Sequence, residues 1–276
     1  MAIKNFISSV WSETLLNSLE KEYVAVRNCY REFEGDLQNN EIVQICAIKG
    51  VNIFEHSRNS TIQAPELLTD ESVFIGCSQA RGFNFLVDDI DRAQSKPSIM
   101  QSAMRQAANG LANEADKYVF SLHEDISDEQ IISNHAVTAD NILDTIIAVR
   151  EKMLTNNVNS NIETVLEVSP QIASILLKAK ITQLTNNEDA MYNGYIGSLV
   201  GFDIYVSNNI GIGENGEHLC FARTKRAIAF AEQINSIEAY RPENYFADAV
   251  KGLYFFGANI IYPEELVLVS LKPATV

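Results

Sequence analysis

Paired cysteines are missing from this chain. Its four cysteines, Cys29, Cys46, Cys77 and Cys220, form no CxxC and no close pair. That excludes a disulfide scaffold and reads as reduced, buried thiols of a cytosolic product. Positive charge is short as well: Lys and Arg total 21 against 36 acidic residues, a formal net charge of −15. Such a balance argues against a protein whose main work is gripping nucleic acid phosphates, although one face can still make weak contact. A secretory leader is lacking, because MAIKNFISSVW is too polar and too short for a signal h-region. No run reaches the ~18–20 apolar residues of a membrane span. The expectation is a soluble cytoplasmic chain with no membrane partner.

Catalytic motifs are equally scarce. His56, His123, His135 and His218 are scattered, with no HxxxH or HExxH, so a zinc site has no starting pair of ligands. GSLVG around Ser198 is not the GxSxG elbow, and no Walker A sequence occurs. GIGENG, Gly211 to Gly216, matches GxGxxG by letter. A dinucleotide fingerprint must open a helix on its last glycine, and the following EHLCFARTKR lacks helical periodicity. A hairpin loop is expected there. Three carboxylates, Asp88, Asp89 and Asp91, crowd FLVDDIDRAQ. Such a cluster can hold Mg²⁺ or Ca²⁺, yet no glycine-bearing calcium loop or distal glutamate completes it, and Arg92 follows Asp91 as a countercharge. Just ahead of a long helix, Asp88 and Asp89 are expected to cap free N–H groups and complement the dipole. No catalytic residue, cofactor or metal is expected.

What the chain does hold is a globular balance: 276 residues, 46% apolar and 21% charged, enough to bury a real core. Trp11, Leu15, Leu16, Leu19 and Tyr23 fall at helical spacing. EIVQICAIKGVNIFE (41–55) reads as two short strands about Lys49-Gly50. The polar HSRNSTIQAPELLTD after it cannot pack by itself, so this hairpin should stand away from the body. SVFIGC and FNFLV are strand-like. From Pro97, apolar residues at Ile99, Ala103, Ala107, Leu111, Ala115, Tyr118 and Leu122 predict a long amphipathic helix over 97–124. A second helix is expected over 138–156. IETVLEVSP then runs as a strand into a helix opening at Pro170, the alternation of an α/β module. GYIGSLVGFDIYVSNN reads as a glycine-punctuated strand pair. The remainder is mostly extended, and the modules should interleave along the chain.

VDDIDRAQS running into the alanine-rich NGLANEADKY, GYIGSLVGFDIYVSNN, and the ending AIAFAEQINSIEAYRPENYFADAVKGLYFFGANIIYPEEL resemble the major capsid proteins of tailed bacteriophages, of the Hong Kong 97 fold. FISSVWSETLLNSLEK and GDLQNNEIVQICAI look like that family's N-terminal arm and extended loop. The resemblance covers nearly the whole chain in colinear order. It implies an α+β capsid fold with an arm (1–35), an extended β-hairpin loop (36–70), a peripheral domain (71–131 and 228–250) carrying the spine helix, and an axial α/β domain (132–227 and 251–276). It also implies hexamers and pentamers of an icosahedral head shell around double-stranded DNA, assembled in the bacterial host cytoplasm. Candidate subunit contacts are then Trp11, Leu15 and Leu19 on the arm, and Lys49, Gly50 and Phe54 on the loop.

An acidic subunit suits such a shell, because tight DNA binding would hinder packing and ejection. Some relatives begin with a long scaffolding segment or carry an inserted surface domain; this chain shows neither, so a separate scaffolding protein and a portal are the expected partners. Some relatives form lysine–asparagine crosslinks. Lys49 lies at the proposed loop, but no asparagine partner or catalytic carboxylate can be named. The alternatives are an encapsulin-like shell around protein cargo and an acidic α/β enzyme using GIGENG and DDID.

Overall fold

The computed structural model describes residues 15, 18–19, 22–32, 42–48, 56, 58, 61, 70–88, 99–159, 161–179 and 194–274. Its strands are β1 (Ile42–Ile48), β2 (Asp70–Gly76), β3 (Gln79–Asp88), β4 (Ile131–Val137), β5 (Thr164–Val168), β6 (Tyr195–Leu199), β7 (Phe202–Val206), β8 (His218–Thr224), β9 (Ile228–Tyr240), β10 (Ala247–Ile260) and β11 (Leu266–Pro273). The α-helices are α1 (Ile99–Ser121), α2 (Ile142–Thr155) and α3 (Pro170–Lys178). The mixture is α+β, as expected.

Strands β4-β11-β8-β5-β7-β6 form a six-stranded mixed sheet. Its central strands β11, β8 and β5 are almost wholly buried, and β5 is covered along its entire length. Alternation then decides which layer each residue meets. Leu166, Val168, Cys220 and Ala222 join a core with Ile146, Val149 and Met153 of α2 and Ile172 and Leu176 of α3. Phe221, Leu266 and Leu268 belong to a second core, made with α1, β9, β10 and the N-terminal segment. Helix α3 starts where Ser169 Oγ accepts from Ile172 N–H at 3.4 Å with Pro170 in the first turn, the arrangement that frees no N–H to lose. Between β6 and β7 the chain reverses through Val200 and Gly201, both left-handed at φ 52° and 83°, a turn that matches the twist of a two-residue hairpin.

The second sheet, β3-β10-β9, is antiparallel and long. Helix α1 packs on one of its faces through Tyr118 against Phe256 at 5.6 Å between ring centroids. On that face the Phe83 ring lies over Gly252, where an added Cβ would come within 2.6 Å of it. The sequence division at 250/251 cuts β10 in two. Residues 251–260 continue pairing with β9 without a break in the strand, so they stay in the three-stranded sheet and not with the six-stranded one.

Three further expectations are corrected, and one strand carries no sequence signal. Strand β1 pairs antiparallel with β2, Ile42 opposite Gly76 through Ile48 opposite Asp70, so its described partner is 70–76; the strand expected at 51–55 across Lys49-Gly50 lies outside the described residues. The span 36–70 therefore ends at the first residue of β2. The buried face of α1 is turned by one residue: Met104, Ala108, Leu111, Ala112, Ala115, Val119 and Phe120 are covered, while Ala103, Ala107 and Tyr118 flank it half-buried. Asp88 ends β3 opposite Ala247, eleven residues before the helix, too far to cap it; Asp89 and Asp91 lie outside the described residues. Finally, β4 has no sequence signal in the polar ISNHAV, because it is an edge strand held in parallel by β11.

Candidate subunit-contact surfaces and the docked N-terminal segment

The arm was the leading candidate for reaching a neighbour, and its described part docks on its own subunit. Leu15 and Leu19 are 1% and 0% exposed, in one core with Tyr23, Ala25 and Val26. As contacts to a neighbouring subunit these two leucines are therefore corrected: nothing of either remains outside to be shared. Trp11, Lys49, Gly50 and Phe54 lie outside the described residues.

Polar groups fix the segment after Tyr23. Residues 24–26 turn their N–H groups inward at the start of a single 3₁₀ turn (Val26–Asn28). A buried carboxylate on α1 meets them: Asp116 accepts from Val24, Ala25 and Val26 N–H, each at 3.0 Å. The carbonyls leaving the turn meet the opposite charge. Arg223, on β8 and fully buried, donates to Asn28 O at 2.7 Å and Ala25 O at 2.9 Å. Its remaining N–H groups pair with Glu167 on β5 at 2.8 and 3.0 Å. Asn28 Nδ2 closes the ring by donating to Glu167 at 3.2 Å. The face of the six-stranded sheet turned toward the arm thus carries a buried ion pair that the arm itself satisfies.

Further along, Glu232 on β9 accepts from the Tyr23 and Tyr254 hydroxyls and from Arg31. Burial and the neighbouring carboxylate push both tyrosines far above their ordinary range, so they remain hydrogen-bond donors. Tyr30 then joins the sheet through backbone bonds to Ile228 O at 2.9 Å and from Phe230 N at 3.0 Å. Where the segment leaves, Tyr30, Arg31, Glu163, Lys225 and Arg226 line an open hollow of about 560 Å³. Its charges are paired, Lys225 with Glu163 and Arg226 with Glu265.

Burial pushes the Cys29 thiol up to about 11 and the Cys220 thiol up to about 12, so both stay protonated near neutrality. Gly211–Gly216 forms the turn of a hairpin, with Gly213 N–H bonded to Glu217 O at 2.8 Å and Leu219 N–H to Gly211 O at 3.0 Å; no helix opens there. Among the described residues no three His, Cys, Asp or Glu converge as metal ligands, and no helix is long and apolar enough to cross a membrane.

Among the described residues, several large apolar side chains stand exposed. Phe246 is 84% and Tyr245 62% exposed in the β9–β10 connection, and Ile212 is 66% exposed in the β7–β8 connection. Ile147 and Leu154 stand outward on α2 beside Val200. Phe74 and Leu86 stand outward on β2 and β3. The β1–β2 pair touches the body through the far end of β2: an atom added to Gly257 of β10 would lie 1.9 Å from Gly76 O.

These elements define a shell-forming fold of the Hong Kong 97 type. A structure from Mycobacterium phage Che8 superposes with a TM-score of 0.71 at 25% identity, covering 90% of each chain. The capsid of Ralstonia phage GP4 gives 0.68 at 9% identity over 90% of this chain and 88% of that one. An encapsulin complex from Synechococcus elongatus shares the fold at 0.59 and 10% identity, over 84% and 82%. None of the curated protein sequences matches the chain. Residues 78–269 match the family model for phage capsid protein, and the chain belongs to that family. It is a structural protein of the phage head, a major capsid protein that self-assembles into the icosahedral shell.

Proposed function

We propose that the chain forms hexamers and pentamers that close around packaged double-stranded DNA, with a separate scaffolding protein and a portal as assembly partners in the host cytoplasm. The observation that carries this reading is the β1–β2 pair, two seven-residue strands joined to the body at one end. A two-stranded ribbon is marginal alone in water and gains stability by lying on something else. In a shell, that surface is the adjacent subunit. The net charge of −15 favours a wall that encloses DNA without gripping it.

In this reading β3, β9, β10 and α1 make the peripheral domain and the six-stranded sheet with α2 and α3 the axial one, with residues 251–260 moved to the periphery. The two share the core that also holds Leu15, Leu19, Tyr23, Ala25, Val26 and Cys29, so they should move as one body. The loop contacts would come from Lys49, Gly50 and Phe54, and Trp11 would mark the part of the arm beyond the docked leucines. Expression of the full chain with its neighbouring phage genes, followed by electron microscopy, tests the proposal. Closed heads with hexameric and pentameric units are expected. Shells filled with a bound protein and free of nucleic acid after packaging would overturn it in favour of a cargo compartment.

A further inference from the structure

Asp116 differs from every other buried acid described above in having no cation of its own. Glu167 is held by Arg223, Glu232 by Arg31 and Glu265 by Arg226. The groups facing Asp116 come from each element packed on it. Glu167 of β5 adds a like charge, and Cys29 of the N-terminal segment lies near as a neutral thiol. Arg223 of β8 is directed at Glu167 and at the carbonyls of Ala25 and Asn28. The Asp116 carboxylate, 1% exposed, therefore rests on three backbone amides alone.

The two oxygens share that work unequally. Oδ1 accepts from both Ala25 and Val26, and Oδ2 accepts from Val24. A proton on Oδ2 leaves the two Oδ1 bonds in place and removes a buried charge that has no cation. We propose that Asp116 is a proton-operated clip that fastens the N-terminal segment to α1 more tightly when neutral than when ionised.

Burial raises the Asp116 carboxyl from its ordinary 3.8 to about 6 against the pull of the three amides. The sign follows from linkage. A carboxyl raised in the docked state stabilises docking fully below its ordinary value, and that contribution is lost as pH rises through the docked value, about 6. Docking is therefore weakest at neutral pH and strengthens on mild acidification. The device acts within one subunit and does not depend on the shell.

Hydrogen exchange of the full-length soluble subunit, corrected for the intrinsic pH dependence of exchange, reads the clip at the amides of Ala25 and Val26, the two bonded to Oδ1. Protection should rise roughly tenfold between pH 7.5 and pH 5, more than for amides in β5 or β8. Asp116→Asn keeps an oxygen for Ala25 and Val26 and cannot titrate, so its protection should be flat over the same interval. Protection that falls on acidification, or the same slope in both proteins, would overturn the proposal. Should the variant fail to fold, carbon-detected titration of Asp116 in the unaltered chain decides. A midpoint near 6 supports the clip, and one at the ordinary aspartate value removes it.

Discussion

The charged residues in the interior are few, and each does a definable task. Arg223 and Glu167 are both 0% exposed and serve the N-terminal segment as much as each other. Breaking a buried pair leaves an uncompensated charge, typically at a cost of about 3–5 kcal/mol. Arg223→Met should fall in that range by urea unfolding of soluble subunits, because Glu167 and two carbonyls lose donors together. Replacing both, Glu167→Leu with Arg223→Met, should recover much of the loss, since no lone charge remains. An equal loss in the single and double variants would show that the carbonyl bonds, not the ion pair, dominate. The contrast is Lys225 with Glu163, 43% and 68% exposed, where Lys225→Ala should cost about 1 kcal/mol or less. None of this interior charge was legible in the sequence. Glu167 sits in VLEV and Arg223 in CFART, which read as ordinary strands with an outward polar residue. Burial on both faces, which makes those residues interior, is a property of the sheet order and not of the local pattern.

At the scale of elements, patterns that rest on local chemistry could be read and those set by distant partners could not. The strand running into a helix at Pro170 was legible because Ser169 and Pro170 carry the start signal themselves. The hairpin at Val200-Gly201 was legible from its glycines, although a β-branched residue at φ 52° is an unusual companion. The partner of β1 was not legible, since a pairing across more than twenty residues leaves no trace in either strand. The stripe on α1 was placed one residue off because its alanines fit either face, and this hid Asp116, which continues the Ala108, Ala112 row. Gly110 of the same helix points at nothing within 4 Å. Gly110→Ala should therefore stabilise the subunit by about 0.5–1 kcal/mol, measured as a higher midpoint of thermal or urea unfolding. Gly257→Ala should do the reverse, because the added carbon meets a backbone oxygen that cannot turn aside. Its damage should be local: faster hydrogen exchange in β1 and β2, with the six-stranded sheet unchanged.

For the whole molecule the question is which surfaces are for folding and which are for neighbours. The N-terminal segment answers it in part, because Leu15, Leu19, Tyr23, Ala25, Val26 and Asn28 are built into the subunit's own core and polar interior. Removing them should abolish folding, not merely assembly. On the proposed function, the β1–β2 ribbon and the β9–β10 connection answer it the other way. Phe246 is 84% exposed, and surface substitutions away from special features usually change stability by no more than about 0.5 kcal/mol. Phe246→Asp should then leave subunit unfolding almost unchanged. If this aromatic tip is covered by another copy in the shell, burying a Phe there is worth about 1.5–3 kcal/mol at each contact, and a closed shell repeats that contact in every subunit. A change invisible in the monomer should thus appear as a large rise in the concentration needed for assembly. Replacing Lys49 to Gln63 by a short glycine bridge is the parallel test for the ribbon. The subunit should remain folded, since β2 stays seated on β10 at Gly257, and shells should fail to close or dissociate on dilution. Light scattering and electron micrographs of both variants separate the two roles. Normal shells from either would return that surface to solvent, and unfolded subunits from the loop replacement would place residues 49–63 in the core.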